Sequence, residues 1–268
     1  MSLKKLVHRE VIKIAPDASV SDTARVMRHF KIGSVFVAEG DSYVGIVTES
    51  DLVRKVAAQD CAGDTIIRHF MCAPLIKIDI EKSVIEANHL MRFNEIRHLG
   101  ISENDTIVGM ISVRDIVRFF SEDTEGPMHR MGDVYNPLEV LIHRDIQTIH
   151  ASASSKAAAE KMAERKIGSL MVTEEEKHVG IVTESDIVRK VISYDLEAAL
   201  IPVGVIMNTP IIDINIGASA LSAVDTMSKK GIRHLAVSEA GNIVGIISIR
   251  DLIGLISVRD LPRFFAKK

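Results

Sequence analysis

At 268 residues, with 47% hydrophobic and 26% charged side chains, the chain has the composition of a folded globular protein of one or two domains, not of a disordered or collagen-like one. A formal charge of −3 gives no electrostatic reason to bind nucleic acid or an acidic membrane surface. Two cysteines, Cys61 and Cys72, lacking a C-x-x-C spacing, suggest neither a disulfide framework nor a thiolate zinc site.

The first ten residues, MSLKKLVHRE, have no apolar run behind their lysines, and no 18-residue apolar stretch occurs. Neither export nor a membrane span is expected, and the cysteines read as reduced thiols of a cytoplasmic protein. Next comes LVHREVIKI at 6 to 14, a leading segment that returns as LIHRDIQTI at 141 to 149. KIGSVFV at 31 to 37 returns as KIGSLMV at 166 to 172, and GIVTESDLVRK at 45 to 55 as GIVTESDIVRK at 180 to 190. Strands are predicted over Gly33 to Ala38 and Tyr43 to Thr48, joined through the turn Glu39-Gly40-Asp41-Ser42. A helix then starts at T-E-S-D.

The same grammar runs on. MCAPLIKID at 71 matches MNTPIIDIN at 207, IRHLGIS at 96 matches IRHLAVS at 232, and GMISVRDIV at 109 matches GIISIRDLI at 245. Ser83-Val84-Ile85-Glu86 has the S-x-x-E form of a capping box, with Val84, Ala87 and Met91 on one helix face. A motif G-h-h-[TS]-x-x-D (h, apolar) at 45, 109, 180 and 245 therefore closes four units, each ordered strand, helix, strand, strand, helix. The polar stretch 121 to 137, holding Gly126, Pro127 and Pro137, reads as a linker between a first half, 1 to 120, and a second, 138 to 268. The units span about 6–60, 66–120, 139–194 and 201–262. After the last motif, GLISVRDLPRFF at 254 nearly repeats it; Leu252, Leu255 and Ile256 fit a prolonged helix stopped by Pro262.

Thr48-Asp51, Ser112-Asp115, Thr183-Asp186 and Ser248-Asp251 each stand where a strand turns into a helix. A hydroxyl with an acid three residues on is an ordinary N-cap, which accounts for all four with no ligand. A carboxylate held there is also a two-oxygen acceptor able to take both hydroxyls of a ribose, with the Thr or Ser hydroxyl on the phosphate side. Phosphate would need cations. Arg97-His98 and Arg233-His234 supply them in the even units, while the odd units offer Lys31 with Gly33 and Lys166 with Gly168. Ile76 and Ile212 fit either a core or the wall of a base cleft, and His8-Arg9 and His143-Arg144 fit either phosphate contacts or residues flanking a strand, the second being the favoured reading.

Four such units resemble CBS domains, which pair as Bateman modules, and two pairs in one chain resemble the γ regulatory subunits of AMP-activated kinases. The resemblance implies an α/β (α+β) fold of four β-α-β-β-α units in two pseudo-twofold modules forming a disc. It implies that [TS]-x-x-D holds ribose, that the basic pairs contact phosphate, in the reverse order to the kinase subunit, and that Ile76 and Ile212 touch the base. The expected ligand is an adenine nucleotide (AMP, ADP or ATP) acting as regulator, with no cofactor required, and an unidentified regulated protein as partner. S-adenosylmethionine or another adenosine compound lacking phosphate, which would leave the Arg-His pairs idle, and a ligand-free scaffold are the alternatives. Pairing of two chains through apolar helix faces is a further expectation. No G-x-x-x-x-G-K-[ST], G-x-G-x-x-G, G-x-S-x-G or H-E-x-x-H occurs, so an enzyme is not expected, and the scattered histidines suggest no metal site.

Overall fold

The computed structural model describes residues 2–59, 61, 63–122 and 138–258. In the first repeat, β1 (Lys13–Ile14) leads to α1 (Val20–Phe30), β2 (Ser34–Glu39), β3 (Ser42–Thr48) and α2 (Glu49–Leu52), whose last turns widen into a π-helix at Val53–Ala57. The second has β4 (Lys77–Asp79), α3 (Val84–Phe93), β5 (His98–Glu103), β6 (Thr106–Ser112) and α4 (Val113–Glu122). The third has β7 (Thr148–His150), α5 (Ser155–Arg165), β8 (Ser169–Glu174), β9 (Lys177–Thr183) and α6 (Glu184–Lys190). A short α7 (Val203–Ile206) precedes β10 (Asp213–Asn215), α8 (Ala220–Lys230), β11 (His234–Glu239), β12 (Asn242–Ser248) and α9 (Ile249–Val258).

The anticipated element order therefore recurs four times. Each repeat makes a three-stranded sheet in which the first strand runs parallel to the second and the second antiparallel to the third. The hairpins close on two residues; in the first repeat Glu39 pairs with Ser42, and Gly40 supplies the φ of +59° that the turn requires. The capping box at Ser83 and Glu86 is formed, and Val84, Ala87 and Met91 are buried together. Helix α9 runs on past Leu252 to Val258, while Pro262 lies outside the described residues, as does the linker from 123 to 137.

Compactness groups the repeats alternately. One unit comprises Met1–Glu10, Ile76–Asp145 and Ile212–Lys268, and so holds the bodies of the second and fourth repeats. Its core packs Val84, Met91, Leu99 and Ile116 with Val224, Leu235 and Leu252. The other comprises Val11–Leu75 and Ile146–Ile211, the first and third repeats, with Val20, Met27, Val35 and Leu52 packed with Met162, Leu170 and Ile187. The unit boundaries fall at 10/11, 75/76, 145/146 and 211/212 because each leading segment attaches to a neighbouring repeat. His8 bridges to Met110, Cys72 to Ile46, His143 to Ile246 and Asn208 to Ile181.

That crossing explains the motif glycine. A Cβ on Gly109 would run into the His8 carbonyl oxygen and sit 2.5 Å from Val7 Cγ2. On Gly45 it would lie 2.8 Å from Met71 Sδ and 3.0 Å from the Cys72 carbonyl; on Gly180, 2.6 Å from Met207 Sδ and 3.0 Å from the Asn208 carbonyl. On Gly245 it would lie 3.0 Å from the His143 carbonyl. At all four glycines an added Cβ would come closer to a carbonyl oxygen of the crossing segment than van der Waals contact allows.

Candidate functional site

Each site is built where the third strand of a repeat passes into its second helix. At the first, Thr48 is the N-cap: its backbone N–H donates to Asp51 Oδ2 (3.0 Å), its hydroxyl donates to the same oxygen (2.7 Å), and Asp51 N–H donates back to Thr48 Oγ1 (3.3 Å). Thr183 and Asp186 repeat this reciprocal cap at 2.9, 2.6 and 3.3 Å. Ser112 binds Asp115 Oδ2 at 2.8 and 2.7 Å, and Ser248 binds Asp251 Oδ2 at 2.7 and 2.7 Å. The reciprocal cap read from the sequence is thus formed at Thr48, Thr183 and, at 3.4 Å, Ser112, and at all four motifs the backbone N–H and hydroxyl of the Thr or Ser take up one carboxylate oxygen, Oδ2.

The other oxygen, Oδ1, meets the crossing segment at Asp51, Asp115 and Asp251 but not at Asp186, and here the repeats part company. Asp115 Oδ1 meets His8 Nε2 at 3.0 Å and Asp251 Oδ1 meets His143 Nε2 at 2.9 Å. Asp51 Oδ1 accepts from Cys72 Sγ (3.2 Å) and pairs with Lys55 Nζ (3.0 Å). Asp186 Oδ1 pairs with Lys190 Nζ at 2.8 Å, while Asn208 Nδ2 donates to Oδ2 at 2.8 Å. The lysines are anchored further, Lys55 to the Phe70 carbonyl (2.9 Å) and Lys190 to the Ile206 carbonyl (2.6 Å) and Asn208 Oδ1 (3.3 Å). His8, Cys72, His143 and Asn208 occupy one equivalent position, and each touches the motif aspartate of the repeat its segment crosses onto.

Electrostatics follow from these contacts. Burial pushes the Asp115 carboxyl up, but hydrogen bonds from Ser112 and His8 outweigh it and hold the group below the ordinary aspartate value. Burial also lowers Lys55, and the Asp51 carboxylate more than reverses this, so its pKa rises. Cys72 is raised, by burial first and then by the same carboxylate, so it stays a thiol and a donor at neutral pH.

The remaining sequence-derived candidates fall beside these motifs by strand register. His98 pairs with Ser112 and His234 with Ser248, while the carbonyls of Arg97 and Arg233 accept from Val113 N–H (2.9 Å) and Ile249 N–H (3.0 Å). Gly33 and Gly168 fill the same place in the odd repeats, accepting from Glu49 and Glu184 at 3.0 Å. Lys31 and Lys166 lie further back, as left-handed C-caps of α1 and α5 with φ of 55°. Ile76 and Ile212 are partly buried against the hydrophobic core of their unit, with carbonyls accepting from Gly100 and Ala236.

Two features escape the sequence reading. One is the crossing position itself: His8 and His143 read there as strand flanks, and the signal was their shared offset of 135. The other is the glutamate after each odd-repeat threonine. Glu49, fully buried, accepts from Ser185 Oγ (2.8 Å) and pairs with Arg189 (3.2 Å), while buried Glu184 lies 3.7 Å from Arg54. The even repeats place Val113 and Ile249 there. Among the described residues, no group of three or more His, Cys, Asp or Glu is disposed to hold a metal ion, and no helix is long and apolar enough to cross a membrane.

Comparison with known proteins fits this geometry. The CBS domain family matches residues 3–58, 67–122, 138–193 and 203–258. An uncharacterised protein of Methanopyrus kandleri is 36% identical over 121 residues, covering 44% of this chain and 62% of its own. A 33.4 kDa protein in a ribosomal RNA operon of Thermofilum pendens is 27% identical over 190 residues, covering 67% and 62%. The chain thus spans 62% of the length of either relative. Among solved structures, a Methanocaldococcus jannaschii protein described as a candidate archaeal homologue of g-AMPK superposes with a TM-score of 0.80 at 17% identity, over 96% of this chain and 100% of that one. At that identity the likeness is one of fold.

Proposed function

The chain belongs to the CBS-domain family, and on that footing we propose that it is a cytoplasmic regulatory module, not an enzyme, that binds adenine nucleotides through its motif aspartates. Binding of AMP, ADP or ATP would favour one conformation over another and so alter affinity for a regulated protein. The observation that carries the reading is the division of labour within the carboxylates. At Asp115 and Asp251 capping fixes Oδ2 and therefore the orientation of the group, while Oδ1 is turned toward a crossing histidine. An acceptor pre-oriented in this way suits a sugar hydroxyl, since its rotamer is already fixed before the ligand arrives. Arg97-His98 and Arg233-His234, which flank the even motifs by strand register, are the groups proposed to meet phosphate. Ile76 and Ile212 are the proposed walls for the base.

One observation favours a ligand-free scaffold: capping alone gives every motif aspartate a structural task. Thermal unfolding in the presence of AMP, ATP or S-adenosylmethionine separates the readings. A ligand at 100 times its Kd stabilises the folded state by about 2.7 kcal/mol. A shift with AMP or ATP supports the proposal, a shift with S-adenosylmethionine alone replaces the ligand, and no shift with any of the three favours the scaffold.

A further inference from the structure

The four motifs share their caps and differ in what covers Oδ1. Four donors already meet Asp186: Thr183 N–H, Thr183 hydroxyl, Asn208 and Lys190. Four meet Asp51: Thr48 N–H, Thr48 hydroxyl, Lys55 and Cys72. A carboxylate has about four lone-pair sites, two on each oxygen, so both oxygens of Asp51 are filled by the protein itself, while Asp186 takes three donors on Oδ2 and gives Oδ1 to the Lys190 ammonium alone. Asp115 and Asp251 meet three donors each, two from the capping serine and one histidine.

The covering groups also differ in how hard they are to move. Lys55 and Lys190 are 40% exposed and tied to backbone carbonyls as well as to the aspartate, so a ligand that displaced them would strand several polar groups at once. The histidine side chains of positions 8 and 143 are 52% and 63% exposed. An imidazole in that setting can swing into water, or stay and offer a ring nitrogen to the newcomer, at little cost. The position after the aspartate by four residues completes the contrast: it is lysine at 55 and 190, and the uncharged residues Phe119 and Leu255 in the even repeats.

We infer that the residue delivered by the crossing segment, together with that lysine, decides which motifs take ligand. The sites at Asp115 and Asp251, covered by His8 and His143, accept the nucleotide, and those at Asp51 and Asp186 are closed by the chain's own lysines. This rests on the nucleotide reading above and assigns the four motifs to two classes: two ligand sites in the unit holding the even repeats, and two internal polar ties in the other.

The test has two arms. Titration calorimetry of the full chain with AMP and with ATP should give no more than two equivalents, and the double variant Asp115→Asn/Asp251→Asn should lose at least tenfold in affinity for whatever binds. In wild-type protein with 15N-labelled histidine, the imidazole signals of His8 and His143, assigned through His8→Gln and His143→Gln, should move on adding nucleotide. Four equivalents, binding that persists in the double variant, or histidine signals that stay fixed while nucleotide binds would overturn the inference and leave the nucleotide reading intact. The histidine arm needs no variant aspartate and stands even if the double variant unfolds. No binding of AMP or ATP to wild-type protein refutes the nucleotide reading, and this inference with it.

Discussion

Replacing Gly109 by alanine tests whether the crossing segment is what the motif glycine is for. The added Cβ would collide with the His8 carbonyl oxygen and stand 2.5 Å from Val7 Cγ2. A backbone oxygen cannot rotate away as a side chain can, so the leading segment must lift off β6. Lifting breaks the two hydrogen bonds between His8 and Met110, each 3.0 Å long, and withdraws His8 from Asp115. At about 0.5–1.5 kcal/mol for each backbone bond, the loss is about 1–3 kcal/mol. Alanine also reduces the entropy of the unfolded chain, which returns about 0.4–1 kcal/mol. The expected net destabilisation is about 1–2 kcal/mol, a fall in Tm of about 2–8 °C for a domain of this size class, read by calorimetry or circular dichroism. Gly245→Ala is the internal control. Its nearest backbone atom, the His143 carbonyl oxygen, would be 3.0 Å away, so a shift of a few tenths of an ångström relieves it and the loss should be smaller. A Gly109→Ala protein as stable as wild type, or a Gly245→Ala protein that suffers more, would refute the reasoning.

Other expectations follow from the same contacts. Ser83→Ala removes a capping box on an exposed helix start and should cost about 0.5–2 kcal/mol in urea denaturation, the usual range for an N-cap. Glu49→Ala leaves Arg189 without a fully buried partner and should cost about 3 kcal/mol or more, whereas Arg68→Ala, which breaks an exposed pair with Glu39, should cost under about 1 kcal/mol. Because the folded protein holds Asp115 below its ordinary value, its contribution is fully present above the unfolded aspartate pKa of about 3.9 and is lost as the pH falls through the lower folded value. Asp115→Asn should therefore flatten the acid limb of a stability–pH curve; an unchanged limb would contradict the assigned hydrogen bonds.

Much of this protein was legible before any coordinates. The repeat offset, the hairpin at Gly40, the capping boxes and the strand-helix order all depend on residues within a few positions of each other, and backbone preference fixes such features locally. The motif aspartates are legible for the same reason, but the residues that face them across the hairpin are not: the two-residue turn pairs Glu103 with Thr106 and by itself would set Ile111 opposite His98, and the bulge at Ile101/Ser102 shifts the register by one residue to Ser112. What the linear chain could not disclose is where each leading segment goes. His8 reaches Asp115 across 107 positions and His143 reaches Asp251 across 108, and no local periodicity encodes a partner at that distance. The buried Glu49–Arg189 pair has the same origin, being made only when the first and third repeats pack into one core. Sequence determined what each repeat is; the chain's path between repeats determined what Asp115 and Asp251 touch, because the side chain that satisfies their second oxygen arrives on a segment that only the tertiary fold lays beside them.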